Sequence, residues 1–329
     1  MPVHAFIFPG QGSQAVGMGR DLAAAFSAAR EVFEEVDETL KQKLSGLMFE
    51  GPGEELTLTE NTQPALMAHS LAVLRVLEKE GGFMLRQKAV VVAGHSLGEY
   101  SALAAAGSFS VANAALLLKQ RGQAMQKAVP AGEGAMAALL GADMAQAEAI
   151  CAEAAPVPES DSPVEPGHDA KREVVDLAND NGAGQIVISG HRGAIERAVA
   201  IAPSKGVRRA MLLPVSAPFH CSLMAPAAEV MAEALESAPP NRPIVPLIAN
   251  VSAAKATDPA EIRDLLVRQV TAMVRWRECV NAMVELGVDS FVELGAGKVL
   301  SGLIRRIAPD AATLSAATPG DIEAVLKNL

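Results

Sequence analysis

The chain has 329 residues, half of them apolar, which is enough for a sizeable core and, at roughly 150 residues per domain, for about two domains. Twenty-eight basic against 38 acidic side chains leave a net charge of −10, and aromatic residues make up only 3 %. Nucleic acid is thereby excluded as an expected partner, because the chain offers neither a cationic footprint nor a stacking surface.

The first ten residues lack the basic and apolar regions of a leader peptide, and no apolar run anywhere is long enough to span a membrane. The expectation is a soluble, cytoplasmic protein without membrane insertion. Residues 3–8 read as a short strand ended by Pro9-Gly10. Helical periodicity follows at 20–43 and at 64–80, where Leu66, Ser70, Val73 and Leu77 recur at helical spacing. Residues 89–93 are a short β-branched run suited to a buried parallel strand, followed by helices at about 98–106 and 111–128. Alternating strands and helices of this kind predict an α/β fold with a mostly parallel sheet.

After Pro130 the pattern changes. A strand at 134–140, a helix at 143–154, strands at 174–178 and 185–189, a helix at 192–205 and a strand at 208–215 give the β-α-β-β-α-β order of a ferredoxin-like unit. Residues 156–172, rich in proline and acidic side chains, read as a solvated loop. A small ferredoxin-like domain at 129–208 is therefore expected as an insertion into a larger domain made of 1–128 and 209–329. The larger domain resumes with a helix at 223–237, a strand at 244–249, helices at 259–275 and 277–286, a strand at 289–293 and a helix at 297–307. Cys151, Cys221 and Cys279 are too few for a disulfide framework, and no Cys-x-x-Cys pair offers a zinc site, so no metal is expected.

The sharpest motif is Gly94-His95-Ser96-Leu97-Gly98, placed directly after the predicted strand and before a helix. This is G-x-S-x-G in the setting that makes it a nucleophile turn, and it makes the larger domain α/β-hydrolase-like. The two glycines let strand and helix approach, the serine hydroxyl is lifted above the sheet, and the Leu97 N–H at the helix N-terminus faces an oxyanion forming there. A glycine-rich turn without chemistry is the plainer reading of the same residues.

A serine needs a base. Of six histidines, His220 lies in the loop after the 208–215 strand, where α/β sheets place their sites, and elimination of the others favours it. No acid before His220 stands out as its partner, and an uncharged group such as a main-chain carbonyl can fix the tautomer instead.

Arg121 sits inside the apolar stripe Ala114, Leu117, Leu118, Ala124, Met125, Ala128. An inward guanidinium must be paired. It serves as a structural ion pair with a distant acid or a snorkelling side chain, or else as a clamp for an anionic group on a substrate, a carboxylate above all. The loop Phe8-Pro-Gly-Gln-Gly-Ser-Gln14 lacks the Lys-Ser/Thr of a phosphate-binding loop, and its Gln11 N–H suits a second oxyanion donor.

Taken in order, Phe-Pro-Gly-Gln-Gly-Ser-Gln (8–14), Gly-His-Ser-Leu-Gly-Glu-Tyr-Ser-Ala-Leu (94–103), Gln-Arg-Gly-Gln-Ala-Met-Gln (120–126), Pro-Phe-His-Cys-Ser-Leu-Met (218–224) and Val-Arg-Gln-Val (267–270) resemble the malonyl-CoA:acyl carrier protein transacylase family. The resemblance implies a ping-pong transfer of malonyl from CoA to the phosphopantetheine thiol of holo acyl carrier protein for fatty acid synthesis. It involves a malonyl ester on Ser96 and no cofactor beyond these substrates. It implies His220 as base, Arg121 on the malonyl carboxylate, Gln11 and Leu97 as the oxyanion hole, and Gln269 orienting His220 through its main-chain carbonyl. Phe219 resembles the malonyl-type signature, and Asn179, Asn181 and Gln185 resemble a motif of the small domain lining the cleft. The stretch 156–172 departs from the family pattern as an insertion. An acidic carrier protein meeting a chain of net charge −10 needs a local basic patch, for which Lys205, Arg208 and Arg209, or Lys298, Arg305 and Arg306, are candidates. A serine esterase or lipase with water as acceptor, a polyketide-pathway acyltransferase and a non-catalytic carrier-protein scaffold are the competing readings.

Overall fold

The computed structural model describes residues 2–156 and 172–329. The expected insertion lies outside the described residues except at its ends, where Pro156 and Arg172 meet in an isolated antiparallel bridge. The strands are β1 His4–Phe8, β2 Ala89–Gly94, β3 Gly134–Leu140, β4 Val175–Asp180, β5 Gln185–His191, β6 Arg209–Leu212, β7 Leu247–Ile248, β8 Lys255–Ala256, β9 Ser290–Leu294 and β10 Ala312–Ala316. They form a six-stranded sheet in the order β10-β9-β1-β2-β7-β8, parallel except between β7 and β8. A second, four-stranded sheet, in the order β4-β5-β3-β6, is antiparallel throughout.

β1 explains why the parallel sheet is covered on both sides. All its residues are buried, and alternate side chains leave a strand on opposite faces. Phe6 and Phe8 belong to the core that also takes in Leu66 and Leu74 of the helix Thr59–Gly81 and Leu118 and Met125 of the helix Val111–Ala128. Ala5 and Ile7 belong to a separate core with Trp276 and Val280 of the helix Trp276–Glu285 and Leu303 and Ile304 of the helix Val299–Ile307.

In the second sheet, β3 and β5 turn Leu139 and Ile188 toward the helices Met144–Ala154 and Arg192–Ile201. The opposite face, carrying Met136, Ala178 and Val187, joins the core of the first sheet. A main-chain connection adds to this packing: Val274 N donates to the Ala178 carbonyl and Asp180 N donates to the Val274 carbonyl, both at 2.9 Å.

Several elements differ from the sequence expectation. The periodic stretch 20–43 is broken at Phe26, whose extended backbone (φ −128°) separates the helices Arg20–Ala25 and Ser27–Leu40. The helix expected from 64 begins at Thr59, with Pro64 in its second turn costing one hydrogen bond. The strand expected at 244–249 is paired only at Leu247–Ile248, because Pro243 and Pro246 bring no N–H to a ladder. The helix expected to reach 275 stops at Gln269, after which the chain turns to bring Val274 to β4. β6 lies beyond the expected boundary at 208, so the second sheet extends to Leu212. The C-terminal β10 and the helix Pro319–Leu326 were not legible, since β10 is a half-exposed edge strand of small residues.

The nucleophile turn depends on its glycines. A Cβ on Gly98 would lie 2.2 Å from the Phe8 carbonyl oxygen, and one on Gly94 would lie 1.9 Å from the Gly98 backbone. Main chain cannot give way as a side-chain tip can. Gly98→Ala is therefore expected to lower unfolding free energy by at least about 1–3 kcal/mol, read as a reduced urea midpoint. An unchanged midpoint would show that the packing is looser than this.

Candidate active site

β2 delivers the chain to Ser96, and the helix Gly98–Ala105 carries it away. Between them Ser96 takes a left-handed conformation with φ 54°, and His220 does the same with φ 59°, which costs a non-glycine residue about 1–2 kcal/mol each. Such strain is kept where the surroundings over-determine it. Here the two strained residues meet, with Ser96 Oγ 2.7 Å from His220 Nε2. His220 Nδ1 lies 2.9 Å from the Gln269 carbonyl oxygen. A carbonyl only accepts, so Nδ1 carries the proton and Nε2 is left with a free lone pair toward the serine. Burial, and then the nearby charge of Arg121, push the His220 pKa down to about 3, so the ring is neutral at ordinary pH.

Arg121 is buried and has neutral partners. Its Nη1 donates to Gln63 Oε1 at 2.8 Å, and its Nη2 donates to Gln269 Oε1 at 3.0 Å and to Ser96 Oγ at 3.2 Å. Among the described residues its Nε has no hydrogen-bond partner. The guanidinium rests 5.7 Å from the centre of the Tyr100 ring, a cation–π distance. Its direct hydrogen-bond partners are thus all neutral, and the buried Glu99 acts on it only through space.

Gln11, Ser96, Leu97, Arg121, Asn179, Phe219 and His220 all line one cavity of about 520 Å³. Met125, Met136, Leu213 and Val215 supply its apolar wall. The main-chain N–H groups of Gln11 and Leu97 make no hydrogen bond among the described residues, so both are free to donate into the cavity. Thr59 Oγ1 holds the Gln11 side chain at 2.9 Å. His95 points away from Ser96, and its Nε2 meets Asn181 Oδ1 at 2.9 Å.

Gln185 does not line the cleft as the motif resemblance led us to expect. It sits at the start of β5, where its carbonyl accepts from Asn181 N at 3.0 Å and its side chain accepts from Arg306 at 3.3 Å. The reason is local: the turn at 182–184 folds it back over its own strand pair. Of the basic clusters, Lys205 pairs with Glu153, and Arg305 bonds Thr313.

Three contributors escaped sequence reasoning. Gln63 reaches the site from the long helix and holds Arg121. Glu99, three residues after the serine, is buried, and burial pushes its carboxyl up to about 7. Asn250 accepts from Ser96 N at 2.8 Å. An acid among apolar neighbours at 98–106 was the one available signal for Glu99.

Among the described residues no group of three or more His, Cys, Asp and Glu side chains gathers as a metal site requires, and no helix is long and apolar enough to cross a membrane. The acyl transferase domain model matches residues 5–318. A malonyl CoA-acyl carrier protein transacylase of Bacillus subtilis is 45 % identical over 325 residues, covering 99 % of this chain and 96 % of that one. The crystal structure of an acyl-carrier-protein S-malonyltransferase from Bartonella henselae superimposes with a TM-score of 0.91 at 53 % identity, covering 99 % of both chains. A type II polyketide synthase acyl carrier protein in complex with its malonyl-transacylase provides another match, with a TM-score of 0.90 and 39 % identity over 99 % of this chain and 100 % of that one. A strained serine paired with a neutral histidine beside an arginine with neutral hydrogen-bond partners is thus met by relatives spanning the whole chain: this chain belongs to the acyl transferase family, among the malonyl CoA-acyl carrier protein transacylases.

Proposed function

We propose that this chain moves a malonyl group from CoA to the phosphopantetheine thiol of an acyl carrier protein, through a malonyl ester on Ser96. The observation that carries the reading is Arg121, a buried cation with neutral partners 3.2 Å from the serine hydroxyl. A neutral acyl group gives such a charge no counterpart, whereas the malonyl carboxylate does.

In the first half-reaction His220 Nε2 takes the Ser96 proton as Oγ bonds to the thioester carbon. The oxyanion accepts from the Gln11 and Leu97 N–H groups. Collapse breaks the C–S bond, and the proton on Nε2 passes to the departing CoA sulfur. In the second, the carrier thiol gives its proton to His220 and attacks the malonyl ester, and Ser96 recovers a proton as the C–O bond breaks. Gln269 supports the cycle twice, holding His220 through its carbonyl and Arg121 through its side chain. Phe219, on the cavity wall next to His220, limits room for branched acyl groups. Asn179 lines the cleft, and Asn181 fixes the ring of His95. Every step runs on protein groups, so no cofactor is required beyond the two substrates.

The same reading divides the chain into a larger α/β-hydrolase-like domain and a smaller ferredoxin-like one, with the boundary moved from 208 to beyond Leu212. The strand order β4-β5-β3-β6 supports the second description. A cytoplasmic setting is part of the proposal, supported by Cys151, Cys221 and Cys279 all being free thiols. Fatty acid synthesis is the favoured pathway. The match to a complex with a polyketide carrier protein favours such a carrier as the second reading.

The experiment is peptide mass mapping after incubation with malonyl-CoA, followed by addition of holo carrier proteins of both pathway types. A malonyl adduct on the Ser96 peptide, absent in Ser96→Ala and discharged by a carrier protein, is expected. Folded protein that forms no adduct would falsify the reading, and discharge to water alone would make it a hydrolase.

A further inference from the structure

Asn250 and Glu99 touch no part of the cavity, yet they lie directly under the nucleophile. Asn250 stands two residues beyond β7, at the C-terminal end of the strand that neighbours β2. Its Oδ1 accepts from the Ser96 N–H at 2.8 Å, and its Nδ2 donates to the Gly94 carbonyl at 2.7 Å. One planar amide therefore grips the main chain on both sides of His95.

These two main-chain groups need such a partner. β2 ends at Gly94 and the next helix begins at Gly98, so neither sheet nor helix ladder serves them. A buried main-chain group left alone is costly, and a serine released from its surroundings leaves the left-handed region. Asn250 is fixed in turn, because its own N–H donates to Glu99 Oε2 at 2.8 Å. The Gln269 side-chain amide lies 3.0 Å from the same Glu99 oxygen and 3.1 Å from the Ser96 carbonyl. Asn250, Glu99 and Gln269 are all buried.

We propose that Asn250 is a positioning residue: its two-point grip on Ser96 N–H and the Gly94 carbonyl holds the serine in the conformation that aims Oγ at His220, with Glu99 anchoring Asn250. This inference rests on Ser96 being the nucleophile. Since neither residue lines the cavity, their effect falls on the acyl-transfer step and not on thioester binding.

The test is rapid-quench mass measurement of malonyl-Ser96 formation against malonyl-CoA concentration, with thermal melting in parallel. It compares wild type, Asn250→Leu, which keeps the branching at Cγ but offers neither bond, and Asn250→Ser, which is too short to reach both partners. Misplacing a reacting group by about 1 Å costs on the order of 10²-fold. Both variants are expected to acylate at least about 30-fold more slowly at saturation, per folded molecule, with half-saturation within about threefold of wild type. A residue that only stabilises the fold would lower the melting temperature and leave the rate per folded molecule unchanged. A wild-type rate per folded molecule in either variant overturns the proposal. If Asn250→Leu does not fold, Asn250→Ser decides alone. If wild type forms no adduct on Ser96, the nucleophile assignment fails first and takes this inference with it.

Discussion

Replacing His220 with alanine is expected to slow malonyl-serine formation by on the order of 10⁴-fold or more, with little change in thioester binding. The hydroxyl of Ser96 is a weak nucleophile until its proton has somewhere to go, and His220 Nε2 at 2.7 Å is the group placed to take it. The same histidine sets the pH dependence. An ordinary imidazole loses its base function as pH falls through about 6.5. Burial and the Arg121 charge disfavour the protonated ring and lower the His220 pKa to about 3. Lowering the pKa moves the loss of base toward acid, so kcat/KM for malonyl-CoA should keep more than about half its value down to pH 5. The measurement is a pH profile of the acylation half-reaction, and half-loss near pH 6.5 would show that the ring is not held neutral by its surroundings.

Arg121→Ala is expected to lower kcat/KM for malonyl-CoA by roughly 30-fold to several thousand-fold, because truncating one partner of a buried charge pair costs about 2–5 kcal/mol. Acetyl-CoA has no carboxylate and should be spared. Removing the guanidinium also lifts one of the causes that depress the His220 pKa, which makes the base stronger for neutral substrates. The comparison of the two thioesters on one preparation isolates the clamp. Equal losses with both would mean that Arg121 supports the Ser96 and Gln269 hydrogen bonds and recognises no anion.

What could be read from the chain beforehand follows from how each residue acts. The serine turn was legible because its glycines are a steric requirement written in residue type. Arg121 was legible because helical periodicity puts a charge where only apolar side chains belong. Gln269 orients His220 through a carbonyl that every residue possesses, so only family resemblance could point to it. Asn250 was hidden because the strand before it is two residues long and follows two prolines, Pro243 and Pro246. Glu99 was hidden because a lone acid early in a helix is usually solvated, and its burial depends on Asn250 and Gln269 arriving from 151 and 170 residues away. Gln185 marks the opposite failure: a motif match named a polar residue correctly, and the turn before it directed the side chain elsewhere.

The main-chain bonds between Val274 and β4 bear on how this protein can be recombined. They extend the edge of the four-stranded sheet into the same stretch that carries Gln269, five residues upstream, and Arg277 adds an ion pair to Asp180 at 2.8 Å. A chimera that exchanges only the inserted segment would keep its own four strands yet present a foreign edge to residues 270–277. The catalytic base would feel the mismatch through its carbonyl anchor. Grafts between relatives should therefore treat 129–212 and 269–277 as one exchange unit, although almost sixty residues of sequence separate them.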